Sequence, residues 1–323
     1  MIQPRTRILL FAPACAPFAN PEAIVNGKLT LSFLAVGYDV QIIGRNLAGE
    51  STYDFGSRWE EPWLPLKNRT HLVQYQKGTY LTNLGDSLAS AVRMGHPIDG
   101  FRWASHALEL ALELHKRDPF DIVLSRSGPD AAHLSALHFV RKTGKPWLAN
   151  WNDPCSARMP PPYSIDKGGI IGLRWRRFYQ SVGRRANFHT FPSARLRRYI
   201  SEYVPNVTDG NSRVVPHVAL ETDFQEQAVE KDTIVFCHAG RLDRVRDPIP
   251  FIEGLFRYRS KLNNRCKFKM KLIGLIDPAI QLMINRYSDC LDIQYVEPQD
   301  YLTTLNLIAS SDVAVIIEAP CDE

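Results

Sequence analysis

The stretch from Thr233 to Pro248, TIVFCHAGRLDRVRDP, sets Gly240 and Arg241 directly behind an apolar run and follows them with Arg244 and Arg246. Clustered guanidinium groups make a grip for an anion, because each offers a rigid fork of donors that never loses its charge. Ligands of doubly wound α/β proteins bind at the carboxyl ends of the strands, so charge placed where a strand exits toward a helix is positioned to meet one. Gly240 lets backbone approach that ligand closely. The plainer use of these arginines is a solvated loop in which they pair with Asp243 and Asp247.

Other residues stand at the same kind of position. Glu318 and Glu323 follow the last apolar run, where a carboxylate can accept hydrogen bonds from ligand hydroxyls, although Glu323 as the final residue is also placed to fray. Asp153 ends another strand just before Pro154; it can orient a hydroxyl or take its proton, or simply cap the turn. Arg126 and Ser127 occupy the equivalent place one strand earlier. His133, one turn into an amphipathic helix, is within expected reach of the same edge, whereas His106 and His138 read as packing or surface residues. No G-x-S-x-G elbow and no G-x-G-x-x-G loop is present, which argues against a serine hydrolase and an NAD-binding enzyme.

The elements that must hold these residues alternate between short β-rich runs and longer helical ones, the pattern of parallel sheets covered by helices. Strands are predicted at 7–13 and 38–44, around a helix at 21–37 closed by Gly37. After an irregular region, 46–100, read as insertions and acceptor-side loops, come a helix, FDIVLS, a helix led by Pro129, and KPWLANWNDP. The helix GLRWRRFYQSVGRRA, NFHTFPS, SARLRRYISEYV and SRVVPHV complete the first series. A second series of four strands starts at Thr233. The fold class expected is α/β, with two Rossmann-like doubly wound parallel-sheet domains, residues 1–220 and 233–323, joined by a polar, acidic linker at 221–232.

Composition agrees with such a chain. At 323 residues it exceeds one ordinary core, and 45% hydrophobic with 23% charged residues is the balance of a globular protein. A net charge of +5 gives no footing for nucleic-acid binding. Six cysteines without a C-x-x-C or a short Cys/His spacing point to reduced thiols and no metal site. No apolar run is long enough for a membrane span, so a cytoplasmic location is expected. Eight arginines between 174 and 198, interleaved with Trp175, Phe178 and Tyr179, are a candidate contact with anionic lipid at the inner face of a membrane.

Four stretches in order resemble the retaining glycosyltransferases of the two-Rossmann-domain (GT-B) architecture, of the bacterial family-four or group-one type. LLFAP with PEAIVNGKLTLSFLAVGYDVQIIG is similar to that family's first strand, loop and helix. TGKPWLANWNDP is similar to its Gly-Lys-Pro strand ending in Asp-Pro, RVVPHVALETDF to its interdomain segment, and FCHAGRLDRVRDPIPFIEGL to the start of its donor-binding domain.

The resemblance implies transfer of a sugar, with retention, from a nucleotide-diphosphate sugar to a glycan or lipid-linked acceptor in polysaccharide or cell-envelope biosynthesis, with no metal or other cofactor. Gly240, Arg241, Arg246, Glu318 and Glu323 would hold the donor. Pro13, Arg126 and Ser127 would face the acceptor, and Asp153 and His133 would be the catalytic candidates. The chain departs from the family pattern in four places, one of them the end of the fourth strand, where Ser125-Arg126-Ser127 stands in place of a frequent His. Asp247 stands where a Lys is common, His217-Val218 replaces Asn-Gly, and the second of two family glutamates would fall beyond Glu323, so an incomplete second domain is expected. A non-catalytic or truncated binding protein and a sugar-nucleotide epimerase of GT-B architecture are the alternatives.

Overall fold

The computed structural model describes residues 5–48, 58–74, 80–221, 233–261, 267–288 and 291–318. The chain divides into two compact units, Met1–Leu220 and Glu221–Glu323. Of the expected linker, residues 222–232 lie outside the described residues, as does Glu323.

Unit 1 is built on a parallel sheet. Arg7–Phe11 (β1) is apolar on both faces, as a strand covered on both sides must be. Helix α1, Pro21–Ala35, starts where the Asn20 side chain accepts from the Ala23 amide at 2.9 Å, with Pro21 at its first position, and ends before Gly37, whose φ is +96°. Asp39–Arg45 (β2) and Thr70–Val73 (β3) follow, then α2, Tyr80–Met94, and α3, Phe101–Arg117. Ile122–Arg126 (β4), Ala131–Thr143 (α4) and Trp147–Asn150 (β5) continue the alternation. A small hairpin, Arg158–Met159 (β6) with Ile165–Asp166 (β7), precedes α5, Gly169–Arg185, Phe188–Phe191 (β8), α6, Ala194–Tyr203, and Ser212–Val214 (β9). The seven-stranded sheet has the order β3-β2-β1-β4-β5-β8-β9, all parallel. That is the doubly wound order, in which the direction of winding reverses between β1 and β4 and opens a crevice at their exits.

The region 46–100 is more regular than its composition predicts. It supplies the edge strand β3 and helix α2, with a 3₁₀ turn at Leu64–Arg69 before them. Helix α2 contains Gly85 and several polar residues of low helix propensity. Tertiary contacts hold it: Arg102 of α3 donates to Asp86 and Asn83, and Met94 is fully buried. Leu81, Leu84, Leu88 and Val92 are exposed along its length. Trp63 lies over Gly27 of α1, where a Cβ would stand 2.5 Å from the indole ring.

The aromatic residues among the arginines of α5 do not face outward. Trp175, Phe178 and Tyr179 are buried in the main core of unit 1, and the arginines occupy the opposite side of the helix. Helical spacing separates the two sets, so the expected interleaved surface is an apolar core face backed by a basic solvent face. Cys15 and Cys155 are buried in this unit, and Cys237 in the other.

Unit 2 carries Thr233–Ala239 (β10), α7 (Ile249–Lys261), Lys267–Ile273 (β11), α8 (Pro278–Ile284), Asp292–Val296 (β12), α9 (Tyr301–Ala309) and the short β13, Val313–Ala314. Its sheet is again parallel, in the order β12-β11-β10-β13. Leu242, Ile252, Phe268, Leu272, Ile280 and Ile284 form a separate core. Both sheets are covered by the helices that connect their strands, which makes the chain a mixed α/β protein of two Rossmann-like units.

Candidate functional site

In unit 2 the sequence places its cationic cluster at the exit of β10. Gly240 leaves the sheet with its amide still bonded to the Ile273 carbonyl at 2.9 Å. A Cβ on the neighbouring Gly274, whose φ is +124°, would stand 2.4 Å from the Gly240 oxygen, so glycine is required for the two strand exits to meet. Asp243 then shapes the loop, its Oδ1 accepting from the amides of Val245 (3.0 Å) and Arg246 (2.9 Å). Burial works to raise the Asp243 carboxyl, but those amides and the guanidinium groups of Arg241 and Arg246 hold it below its ordinary value. Arg241 Nε lies 3.1 Å from Asp243 Oδ2, with most of its side chain exposed. Arg246 Nε lies 3.6 Å from Glu318 Oε2, which joins the loop after β10 to the segment after β13.

His238 belongs to the same cluster. It is 5% exposed, its Nδ1 is 3.1 Å from the Val315 carbonyl oxygen, and its Nε2 is 3.2 Å from the place a Gly240 Cβ would take. Burial lowers its pKa, against the pull of the Val315 carbonyl and Glu318. Its position one residue from the end of a strand followed by Gly-Arg is a signal the sequence carries.

In unit 1 a cavity of about 350 Å³ opens among Pro13, Ala14, Asn20, Glu22, Arg45, Leu47, Gly128 and Pro129, at the exits of β1, β2 and β4. Its wall is tied to α1 by Asn26, whose amide donates to the Ala14 carbonyl at 2.6 Å. Arg126, the last residue of β4, is 4% exposed; its Nη2 donates to Asn152 Oδ1 at 2.9 Å, while its Nε has no hydrogen-bond partner. Burial lowers the Arg126 pKa to about 10, opposed by the charges of Asp153 and Glu22. Ser127 Oγ accepts from the Asn152 amide at 2.8 Å, and His217 Nε2 meets Asn152 Oδ1 at 2.7 Å. Asn152, which the sequence does not single out, thus fixes the β4 and β5 exits to each other.

Asp153 lies beside this knot. Its pKa is raised to about 6 by burial, then by Glu22 and Asp130, with Arg126 acting the other way. Asp130 is buried beneath, accepting from Tyr179 Oη at 2.6 Å and from the Ser156 amide at 3.0 Å. Burial raises its pKa as well.

His133 does not reach the cavity. It is fully buried, with Nδ1 2.7 Å from Ser125 Oγ and its ring 4.4 Å from that of Trp151. Burial drives its pKa down to about 3, so it is a neutral core residue; the helical position points toward Trp147 and Trp151 and leaves no path for a substrate. Structure therefore gathers Gly240, Arg241, Arg246 and Glu318 in unit 2, and Pro13, Arg126, Ser127 and Asp153 in unit 1, and removes His133 from the catalytic candidates. Glu22 and Arg45 join unit 1's site without having been singled out. Among the described residues, no group of three or more His, Cys, Asp or Glu is placed to hold a metal ion.

Two parallel, helix-covered Rossmann-like sheets, each with charged residues at its strand exits, define the GT-B class of fold. The chain is similar to WaaG, a glycosyltransferase involved in lipopolysaccharide biosynthesis, at 12% identity and a TM-score of 0.55 over 98% of this chain and 75% of that one. It is equally similar to a putative UDP-N-acetylglucosamine 2-epimerase from Listeria monocytogenes, at 13% identity and 0.55 over 96% and 74%. The UDP-GlcNAc 2-epimerase of Methanocaldococcus jannaschii gives 12% and 0.51 over 96% and 78%. At such identities the likeness is one of fold. By sequence, no protein-family model and no curated protein matches the chain.

Proposed function

We propose that the protein is a glycosyltransferase that moves a sugar from a nucleotide-diphosphate sugar to a glycan or glycolipid acceptor with retention. The observation that carries this reading is the exit of β10, where Arg241 and Arg246 both act on Asp243 just after Gly240, and Glu318 lies 3.6 Å from Arg246. As the bond from the anomeric carbon to the diphosphate oxygen breaks, charge accumulates on the diphosphate, and fixed guanidinium donors stabilise it more in the transition state than before it. The acceptor oxygen bonds to the same face of that carbon, and its proton passes to the departing phosphate oxygen. Glu318 accepts from donor hydroxyls. In unit 1, Arg126 and Ser127 face the acceptor and Asp153 orients its hydroxyl. No cofactor enters this scheme.

The donor chemistry is supported by the glycosyltransferase and the two UDP-N-acetylglucosamine epimerases that share the fold. We place the protein in the cytoplasm, with the basic side of α5 resting on anionic lipid. Exposed Ile170, Ile171 and Leu173 at the start of that helix, beside Arg174, Arg176 and Arg177, support this contact. Among the described residues no helix is long and apolar enough to cross a membrane.

The test is a thermal-shift screen of nucleotide sugars on the full chain, followed by product analysis with the stabilising donor. Stabilisation by a nucleotide sugar that disappears in Arg241→Ala supports the reading, and the absence of any shift defeats it. The Glu22 and Asp153 carboxylates favour epimerisation as a second reading. Conversion of the donor sugar without transfer to an acceptor selects that alternative.

A further inference from the structure

Gly128, at the exit of β4, has φ +90°, and the point where its Cβ would stand is 2.7 Å from Asp153 Oδ2 and 3.5 Å from Glu22 Cγ. Two acidic side chains, one from the first turn of α1 and one from the loop after β5, therefore converge over the same bare stretch of backbone. Glu22 and Gly128 both line the 350 Å³ cavity. The bareness matters, since any side chain at position 128 would fill the gap between the carboxylates.

The groups around the pair do not satisfy it. Asp130, packed below Asp153, is already bonded to Tyr179 and Ser156. The charge of Arg126 couples to both Glu22 and Asp153, but its Nη2 donates to Asn152 instead, and Arg45 lines the cavity alongside Glu22. His217, which meets Asn152, feels the charges of Arg126 and Lys28. Among the described residues neither Glu22 nor Asp153 receives a hydrogen bond or forms an ion pair. Ionised carboxylates can only accept, so what completes this pair must bring donors. Arg126 and the cavity-lining Arg45 keep the site from being uniformly negative, while the two carboxylates that meet over Gly128 disfavour an anionic group placed between them.

We propose that Glu22 and Asp153 form a two-carboxylate seat for the hydroxyl groups of a neutral sugar, which on the transferase reading is the terminal residue of the acceptor. Hydroxyl donors replace the water that each carboxylate would otherwise hold, and a buried acceptor that gains a donor avoids the cost of being left unpaired. Carboxylate-bearing sugars are rejected at neutral pH by the same two groups. Ligand hydroxyls favour the ionised form of Asp153, so binding strengthens as pH rises through about 6.

The experiment uses the full chain and three probes: neutral methyl glycosides, glucuronate, and a set of nucleoside diphosphates. Saturation-transfer NMR at pH 7.5 is expected to detect at least one neutral glycoside and not glucuronate. That signal should weaken about tenfold in affinity in Glu22→Gln and again in Asp153→Asn, while the nucleoside diphosphate that stabilises the wild type stabilises both variants equally. Equal glycoside binding by wild type and variants, or glucuronate binding as well as the neutral sugar, overturns the seat. So does a diphosphate shift in all three proteins with no glycoside signal. If no diphosphate shifts any of them, the transferase reading fails, and the seat then stands or falls on the glycoside signals alone.

Discussion

Arg246 meets Glu318 with Nε 3.6 Å from Oε2, across the gap between the loop after β10 and the segment after β13. Both side chains retain exposure, so the pair itself adds little stability, in the range of about 0–1 kcal/mol for exposed ion pairs. Its worth lies in holding a guanidinium group at a strand exit. Replacing Arg246 by Ala is expected to leave the melting temperature of the free protein nearly unchanged and to weaken nucleotide binding about tenfold or more, the scale of a lost hydrogen bond to a charged group. Calorimetric titration with the stabilising nucleotide checks this; unchanged affinity would remove Arg246 from the donor site.

Asp153 ties stability to pH in a direction set by its raised pKa. The folded protein holds this proton up to about pH 6, whereas the unfolded chain releases it near 3.8. Between those values the native state binds more protons, so the stabilisation is fully present below 3.8 and is lost as pH rises through 6. Asp153→Asn removes the penalty. The variant is expected to be more stable than wild type at pH 7.5 and indistinguishable from it in this respect near pH 4, measured as urea midpoints at the two values.

Gly128 should not tolerate a methyl group. Its φ of +90° disfavours any side chain, and the added atom would lie 2.7 Å from Asp153 Oδ2. Gly128→Ala is expected to destabilise the chain by about 1–3 kcal/mol, the usual cost of a strained backbone position. Thermal melts monitored by circular dichroism measure the loss, and a variant as stable as wild type contradicts the geometry.

The proposed lipid contact through α5 predicts salt-sensitive binding to vesicles. The full chain should co-sediment with phosphatidylglycerol vesicles and not with phosphatidylcholine vesicles, with binding reduced by high salt. Charge reversal at Arg176 and Arg177 should abolish it. Co-sedimentation unaffected by the reversal would assign the lipid contact to another surface.

Most strands were readable because β1, β4 and β10 are short β-rich apolar runs placed between helical patterns. Helix α2 was not, since Gly85 and its polar neighbours weaken the local signal and the helix depends on Arg102 of α3. The last strand is shorter than its apolar run: Val313–Ala314 pairs with β10, and the Asp312 and Val315 amides bond to the Val235 and Cys237 carbonyls at its ends. Arg126 and Asp153 could be found by a rule about strand exits. Asn152 stands at the same β5 exit and the same rule reaches it, whereas Glu22 could not be found, because its relevance comes from a loop distant in sequence that meets it only once the sheet is assembled. His133 shows the opposite error, where a helical position near the right edge points inward to tryptophan.

The sealed cysteines of unit 1 give the molecule its own clock. Cys15 lies under Gly44, where a Cβ would touch its sulfur, and burial pushes its thiol up to about 12; Cys155 is shielded as completely. An alkylating reagent attacks thiolate, so neither reacts until the surrounding layers part. The rate at which these two sulfurs become labelled in the native protein, followed by peptide mass spectrometry, therefore reports how often the first unit breathes open, with no probe introduced from outside.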